Sequence, residues 1–210
     1  MGDEDGYKAP IDKSNVERIS NGIFAFTMTL LARDIVMPNI DNAEAISQDM
    51  LLTNILLAIA PKAFNYLTAF AILALFWMCF AQIYYNIRAV DWKLISLNLF
   101  CIMLIVFIPF TNTFVTLADN PFISFLYECN LLLVGLLYYM QWSYASKDYR
   151  LIHKSLTYEE IRSLKRKISL IPAISLFAIV LTLLDVDYGQ SLYLLGFALL
   201  IYLNTKTASH

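Results

Sequence analysis

Six apolar segments constrain this chain more than anything else in it. A bilayer core needs roughly 20 apolar residues per crossing helix. Inside it every backbone N–H and C=O has to be paired within the protein. Segments of that kind are read at about 17–37, 60–87, 93–110, 121–146, 166–184 and 190–204. They predict an all-α polytopic membrane protein with six transmembrane helices. Only 15% of the 210 residues are charged, where a soluble domain averages about 25%. The net charge of −2 offers no basic footprint for nucleic acid. Residues 1–15 are polar and acidic, lack the pattern of a cleaved signal, and read as a flexible cytoplasmic tail. Residues 16–207 read as one six-span domain.

Basic residues orient the spans. Lys147, Arg150, Lys154, Arg162, Lys165, Arg166 and Lys167 share the loop 147–167, and Arg88 and Lys93 share the turn 88–93. The loops near 38–50, 111–120 and 185–190 carry acids and no Lys or Arg. The positive-inside rule then puts both termini in the cytoplasm. Tyr84, Tyr85, Trp92, Tyr138, Tyr139, Trp142 and Tyr144 lie near that side, as an aromatic belt would. Residues 44–58 are expected to form a separate amphipathic helix on the bundle. Thr157 and Glu160 stand at capping-box spacing, so a solvated helix should start there and run into the fifth span. Cys79, Cys101 and Cys129 have no metal spacing and are expected to be small packing residues.

No phosphate loop, HExxH motif or nucleophile elbow is present, and His153 and His210 have no ligand partner at motif spacing. The acids nearest the spans, Asp34, Glu128 and Asp185, lie toward span ends. The chain is not expected to be an enzyme or to carry a metal or cofactor. One stretch stands apart. Asn15–Pro38 is apolar enough for a bilayer yet holds Ser20, Asn21, Thr27, Thr29 and the Arg33-Asp34 pair. Written as a helix, it puts Gly22, Phe26, Thr29, Leu30 and Arg33 on one stripe. A neighbouring stripe holds Ser20, Phe24, Thr27, Leu31 and Asp34. The first stripe suits a narrow conduit, where apolar side chains gate by dewetting and a hydroxyl replaces part of an ion's hydration shell. The same residues also suit a tightly packed helix interface.

Ser20-Asn21-Gly22-Ile23-Phe24-Ala25 and Thr29-Leu30-Leu31-Ala32-Arg33-Asp34-Ile35-x-x-Pro38 resemble the first helix of the transmembrane-protein-175 potassium channels. That family carries Arg-x-x-x-Phe-Ser-Asp-Gly, an apolar run, and an acid before a closing proline. The similarity continues through Pro61, Tyr66, Phe76-Trp77, Val90-Asp91, Asn98 and Phe107-Ile108-Pro109-Phe110. It implies a potassium-permeant cation channel, a homotetramer with first helices around the pore, seated in a lipid bilayer, the prokaryotic cell membrane. On that transfer Phe26, Leu30 and Arg33 match constriction positions that are mostly Ile, Leu or Met in relatives. Thr29 matches the hydroxyl linked to potassium preference. No TVGYG filter is present here.

The chain departs from the family pattern at its charged positions. Asn15, Ile19 and Asn21 replace the motif's Arg, Phe and Asp, and Phe80 replaces a histidine in the second span. Asn15, Ser20, Asn21, Trp77, Phe80 and Asn98 are therefore expected to form a neutralised joint around the first helix, with Asn21 bonding Asn98 or Ser20. A lone return to aspartate at position 21 is expected to destabilise that joint. Arg33 brings a charge where relatives are apolar. Anion or proton selectivity, or a non-conducting interaction role, stays open beside the potassium reading.

Overall fold

The structure, a computed structural model, describes residues 11–34, 48–117, 120–184 and 191–208. Residues 1–10, 35–47 with Pro38, and 185–190 with Asp185 lie outside them. Six α-helices follow in order: α1 Lys13–Leu31, α2 Gln48–Asn86, α3 Trp92–Leu117, α4 Pro121–Ser146, α5 Tyr158–Leu183 and α6 Ser191–Ala208. A 3-10 turn, Ala32–Asp34, extends α1. Among the described residues, stretches of α2 to α5 are long and apolar enough to cross a membrane.

Two helices are longer than the sequence suggests. The separate helix expected at 44–58 does not exist within the described residues. From Gln48 onward it is the first part of α2, so Pro61 sits well inside a continuous helix instead of near its start. Proline removes one backbone bond and crowds the turn before it, which bends a helix without necessarily ending it. Likewise α3 continues past Pro109 into most of the expected loop 111–120. The hydroxyls of Thr111 and Thr113 donate to the carbonyls of Phe107, Ile108 and Pro109 within that continuation, so their polar atoms are paired inside the helix.

Local signals set the other ends. Asn120 caps α4, its side chain accepting from Phe122 N–H at 2.9 Å, with Pro121 in the first turn. Thr157 and Glu160 form the reciprocal capping box of α5, with Thr157 N–H donating to Glu160 at 2.8 Å.

The core is aromatic and centred on α4. That helix packs most extensively on α5 and α3, while α1 rests on α3 and α2, and α6 on α2 and α5. Phe76, Phe80 and Tyr84 of α2 meet Phe24 of α1 and Tyr138 of α4, with ring centroids 4.4–6.1 Å apart. Tyr84, Tyr138 and Trp142 are fully buried, so the expected aromatic belt loses three members to the core. Tyr138 and Trp142 stand four residues apart on the inward face of α4, and Trp142 Nε1 donates to Ile161 O at 3.2 Å across the α4–α5 contact. Leu99, Phe100, Met103 and Phe107 of α3 and Leu176, Phe177 and Val180 of α5 point outward, in keeping with broad apolar faces on those two helices. Cys79 and Cys101 are buried, and all three cysteines are unpaired.

The loops at the basic end are zipped together. Ile87 and Ile152 form an antiparallel bridge. Arg88 N–H donates to Leu151 O at 2.7 Å, and His153 N–H to Asn86 O at 3.1 Å.

Gly135 lets α4 and α5 touch. A Cβ there would stand 2.9 Å from Ile171 Cγ2 and 3.1 Å from both the ring and the backbone nitrogen of Pro172. Small residues at such crossings allow backbones to close up. Gly135→Val should therefore cost about 1–3 kcal/mol of stability through overpacking. A Tm in detergent equal to wild type would contradict this.

Candidate functional site

Helix α1 has two unlike faces. Val16, Ser20, Phe24, Thr27 and Leu31 are buried against the bundle, at the spacings of three and four that keep one face of a helix inward. The opposite face carries Asn15, Arg18, Gly22, Ala25, Phe26, Thr29 and Arg33, all exposed. At about 100° per residue, Thr29 lies roughly opposite the centre of the buried stripe. Phe26 is 60% exposed, and a Cβ on Gly22 would meet nothing within 4 Å.

The sequence-predicted pore residues separate slightly on this helix. Phe26, Thr29 and Arg33 share the outward face. Leu30 is half-buried on its flank. With Arg33 it lines a groove of about 300 Å³ against Val106, Pro109, Phe110, Thr113 and Phe114 of α3. The Thr29 hydroxyl donates to Phe26 O at 2.7 Å. Its one proton is thus engaged by its own helix, and its oxygen lone pairs are turned outward as acceptors. The side chain of Asp34 lies outside the described residues. Arg18 joins this face one turn before Gly22. Sequence reading passed over it because it falls between motif positions, although the 3.6-residue period places it there.

The joint residues converge around the first half of α1. Asn98 of α3, 2% exposed, donates from Nδ2 to Ser20 Oγ at 2.9 Å. Asn21 accepts from Trp77 Nε1 of α2 at 3.0 Å through its amide oxygen. The pairing differs from the expectation that Asn21 would bond Asn98 or Ser20. Asn21 is one residue, about 100°, around the helix from Ser20, so it meets α2 and not α3. Since Trp77 uses the oxygen of Asn21, an aspartate there could accept the same bond, and the expected penalty for that change loses its basis. Phe80 fills the buried side of the joint beside Phe24 at 6.0 Å. Asn15 is exposed, and among the described residues no side-chain bond ties it to the cluster.

A second buried polar pair was not singled out from the sequence. Glu128, expected toward a span end, is 1% exposed, about 10 Å into α4 by helix rise. The Thr182 hydroxyl of α5 lies 2.8 Å from each of its carboxyl oxygens. A buried acid needs such a partner; only the packing of α5 on α4 reveals it.

Comparison with known proteins bears on this helix directly. The endosomal/lysosomal potassium channel TMEM175 family matches residues 15–109, which hold nearly all of α1, its joint, and Val106 and Pro109 of the groove wall. A potassium channel of Chamaesiphon minutus is 22% identical over 179 residues, 83% of this chain and 86% of the relative. Over that part the chain is similar to TMEM175 channels. A potassium channel of Streptomyces collinus is 30% identical over 98 residues, 47% of this chain and 45% of the relative. The crystal structure of a lysosomal potassium-selective channel TMEM175 homolog from Chamaesiphon minutus superposes with a TM-score of 0.72 at 21% identity, covering 92% of this chain and 97% of that one. A crystal structure of a variant of the potassium channel MtTMEM175, in complex with a nanobody fusion protein, gives 0.59 at 14% identity, covering 100% and 99%. TMEM175 proteins are ion channels and not enzymes.

The Ser20–Asn98 bond gives a direct test of the joint. Ser20→Ala leaves the buried Asn98 amide unmet and should cost about 1–3 kcal/mol. Adding Asn98→Leu removes the stranded amide and should recover most of the loss. A double variant no more stable than Ser20→Ala would show that the pair does not act as a unit.

Proposed function

We propose that this chain is the subunit of a potassium-permeant cation channel of the cell membrane, with six spans, both termini cytoplasmic, and four copies of α1 around a central pore. The observation that carries the reading is the outward face of α1. A helix that buries one stripe against its own bundle and offers arginine, asparagine, glycine and threonine on the other is poorly suited to lipid. Copies of α1 facing one another across water would satisfy that face. Phe26 and Leu30 form the hydrophobic gate in this arrangement. Phe26 projects fully, and Leu30 closes from the flank. Thr29 contacts the permeating ion through lone pairs that its bond to Phe26 O leaves facing outward. An oxygen held this way favours a cation over an anion. The match of residues 15–109 to the TMEM175 family and the names of the bacterial relatives support the choice of potassium.

A second reading rests on the two arginines. Arg18 and Arg33 stand on the same face as Thr29, toward opposite ends of α1. In an assembly with α1 on the axis they put positive charge at both mouths, which repels cations and draws anions.

Reversal potentials in planar bilayers separate the two. The potassium reading expects the reversal potential to follow the potassium gradient, with Phe26→Ala raising the current severalfold and Arg33→Leu raising cation conductance further. A reversal potential that follows chloride supports the arginine reading. No current in wild type or in Phe26→Ala, with either ion, sinks both.

A further inference from the structure

At the basic end of the bundle one tyrosine gathers charge from two loops. Lys93 Nζ lies 4.7 Å from the centroid of the Tyr144 ring, and Arg150 Cζ lies 5.2 Å from it. Both contacts fall within cation–π range, and they hold two like charges within about 10 Å of each other, where they repel. Tyr144 is itself fixed, its hydroxyl donating to Asp91 Oδ2 while Asp91 Oδ1 caps α3 through Leu94 N–H at 2.8 Å. Among the described residues neither Lys93 nor Arg150 is ion-paired to a carboxylate, and both are exposed.

Backbone strain helps to place the second charge. Asp148 and Tyr149 both take left-handed conformations, at φ 54° and 53°. Asp tolerates that region, but a tyrosine there is unusual. The two turn the chain so that Arg150 comes back over Tyr144. Leu151 and His153 then lock into the α2–α3 loop by backbone bonds. Such a turn persists only where the surrounding structure holds it.

Each cation also has an exposed aromatic neighbour in sequence. Trp92, 57% exposed, precedes Lys93, and Tyr149, 38% exposed, precedes Arg150. Exposed Trp and Tyr settle at the headgroup level of a bilayer. A free anion would need the charges alone, whereas a lipid would use both the charges and the rings.

We infer that Lys93 and Arg150, splayed over Tyr144 and flanked by Trp92 and Tyr149, form a binding site for the headgroup of an anionic phospholipid. Its phosphodiester bridges the two cations in charge-assisted hydrogen bonds, and the start of its acyl chains lies against the two aromatic rings. The site needs only that the bundle spans a bilayer. It does not depend on which ion the protein conducts.

The test uses the purified full chain in detergent. It is titrated with dioctanoyl phosphatidylglycerol, dioctanoyl phosphatidylcholine or inorganic phosphate, with native mass spectrometry and Tm as readouts. Phosphatidylglycerol should be retained and raise Tm, and the other two should not. Lys93→Gln with Arg150→Gln should weaken that binding about tenfold or more, while Lys93→Arg alone keeps it. Lys147→Gln with Lys154→Gln removes the same charge from exposed positions of the same loop and should leave binding within about twofold. Equal weakening by that control pair would reduce the site to diffuse surface charge and overturn the inference. Equal stabilisation by inorganic phosphate or by phosphatidylcholine would overturn it too.

Discussion

The hydrogen bond between Asn98 and Ser20 fixes how the first helix is turned. A buried amide has to be paired, and Asn98 has its partner in α1. On a helix of 3.6 residues per turn, setting the direction of one side chain sets all of them. With Ser20 inward, Phe24, Thr27 and Leu31 follow it into the bundle, and Phe26, Thr29 and Arg33 are turned away. The bond from Trp77 to Asn21 adds a second point from α2, so α1 is held from two directions. Neither bond involves an ionised group. A joint built from Ser, two Asn, Trp and Phe avoids the heavy cost of leaving half of a buried charge pair stranded.

The rest of the bundle acts as a rigid back wall for that helix. Its centre, where α4 meets α3 and α5, combines fully buried aromatic rings with a glycine crossing at Gly135. Helix α1 is attached at the edge by its buried stripe and by the bond from Trp77 to Asn21. The dense core fixes positions, and the edge helix presents one face outward. The polar pair Glu128–Thr182 sits in the back wall, away from the basic end, where it ties α4 to the last turn of α5.

Much of the architecture was legible in the sequence because the bilayer imposes helices and sets their length. Asn120-Pro121 and Thr157/Glu160 marked their helix starts correctly, since capping chemistry is local. Pro61 and Pro109 misled, because a proline weakens a helix by one bond while a long apolar segment has no other way to pair its backbone. The aromatic residues misled differently. Position along the chain placed Tyr84, Tyr138 and Trp142 at the membrane boundary, but which face of a helix turns inward decided that they form core.

By itself, then, the sequence determined the all-helical membrane character, the caps that start α4 and α5, and the two faces of α1, each through local periodicity, capping or hydrophobic length. It could not assign partners. That Asn98 meets Ser20, that Asn21 meets Trp77, that Leu30 turns toward α3, and that Lys93 and Arg150 share one tyrosine ring were settled by tertiary packing. These pairs join residues on different helices and loops, and their contact depends on how each helix is rotated against its neighbours. No local pattern encodes that rotation, because it is chosen by which buried polar groups must find each other once the helices close together.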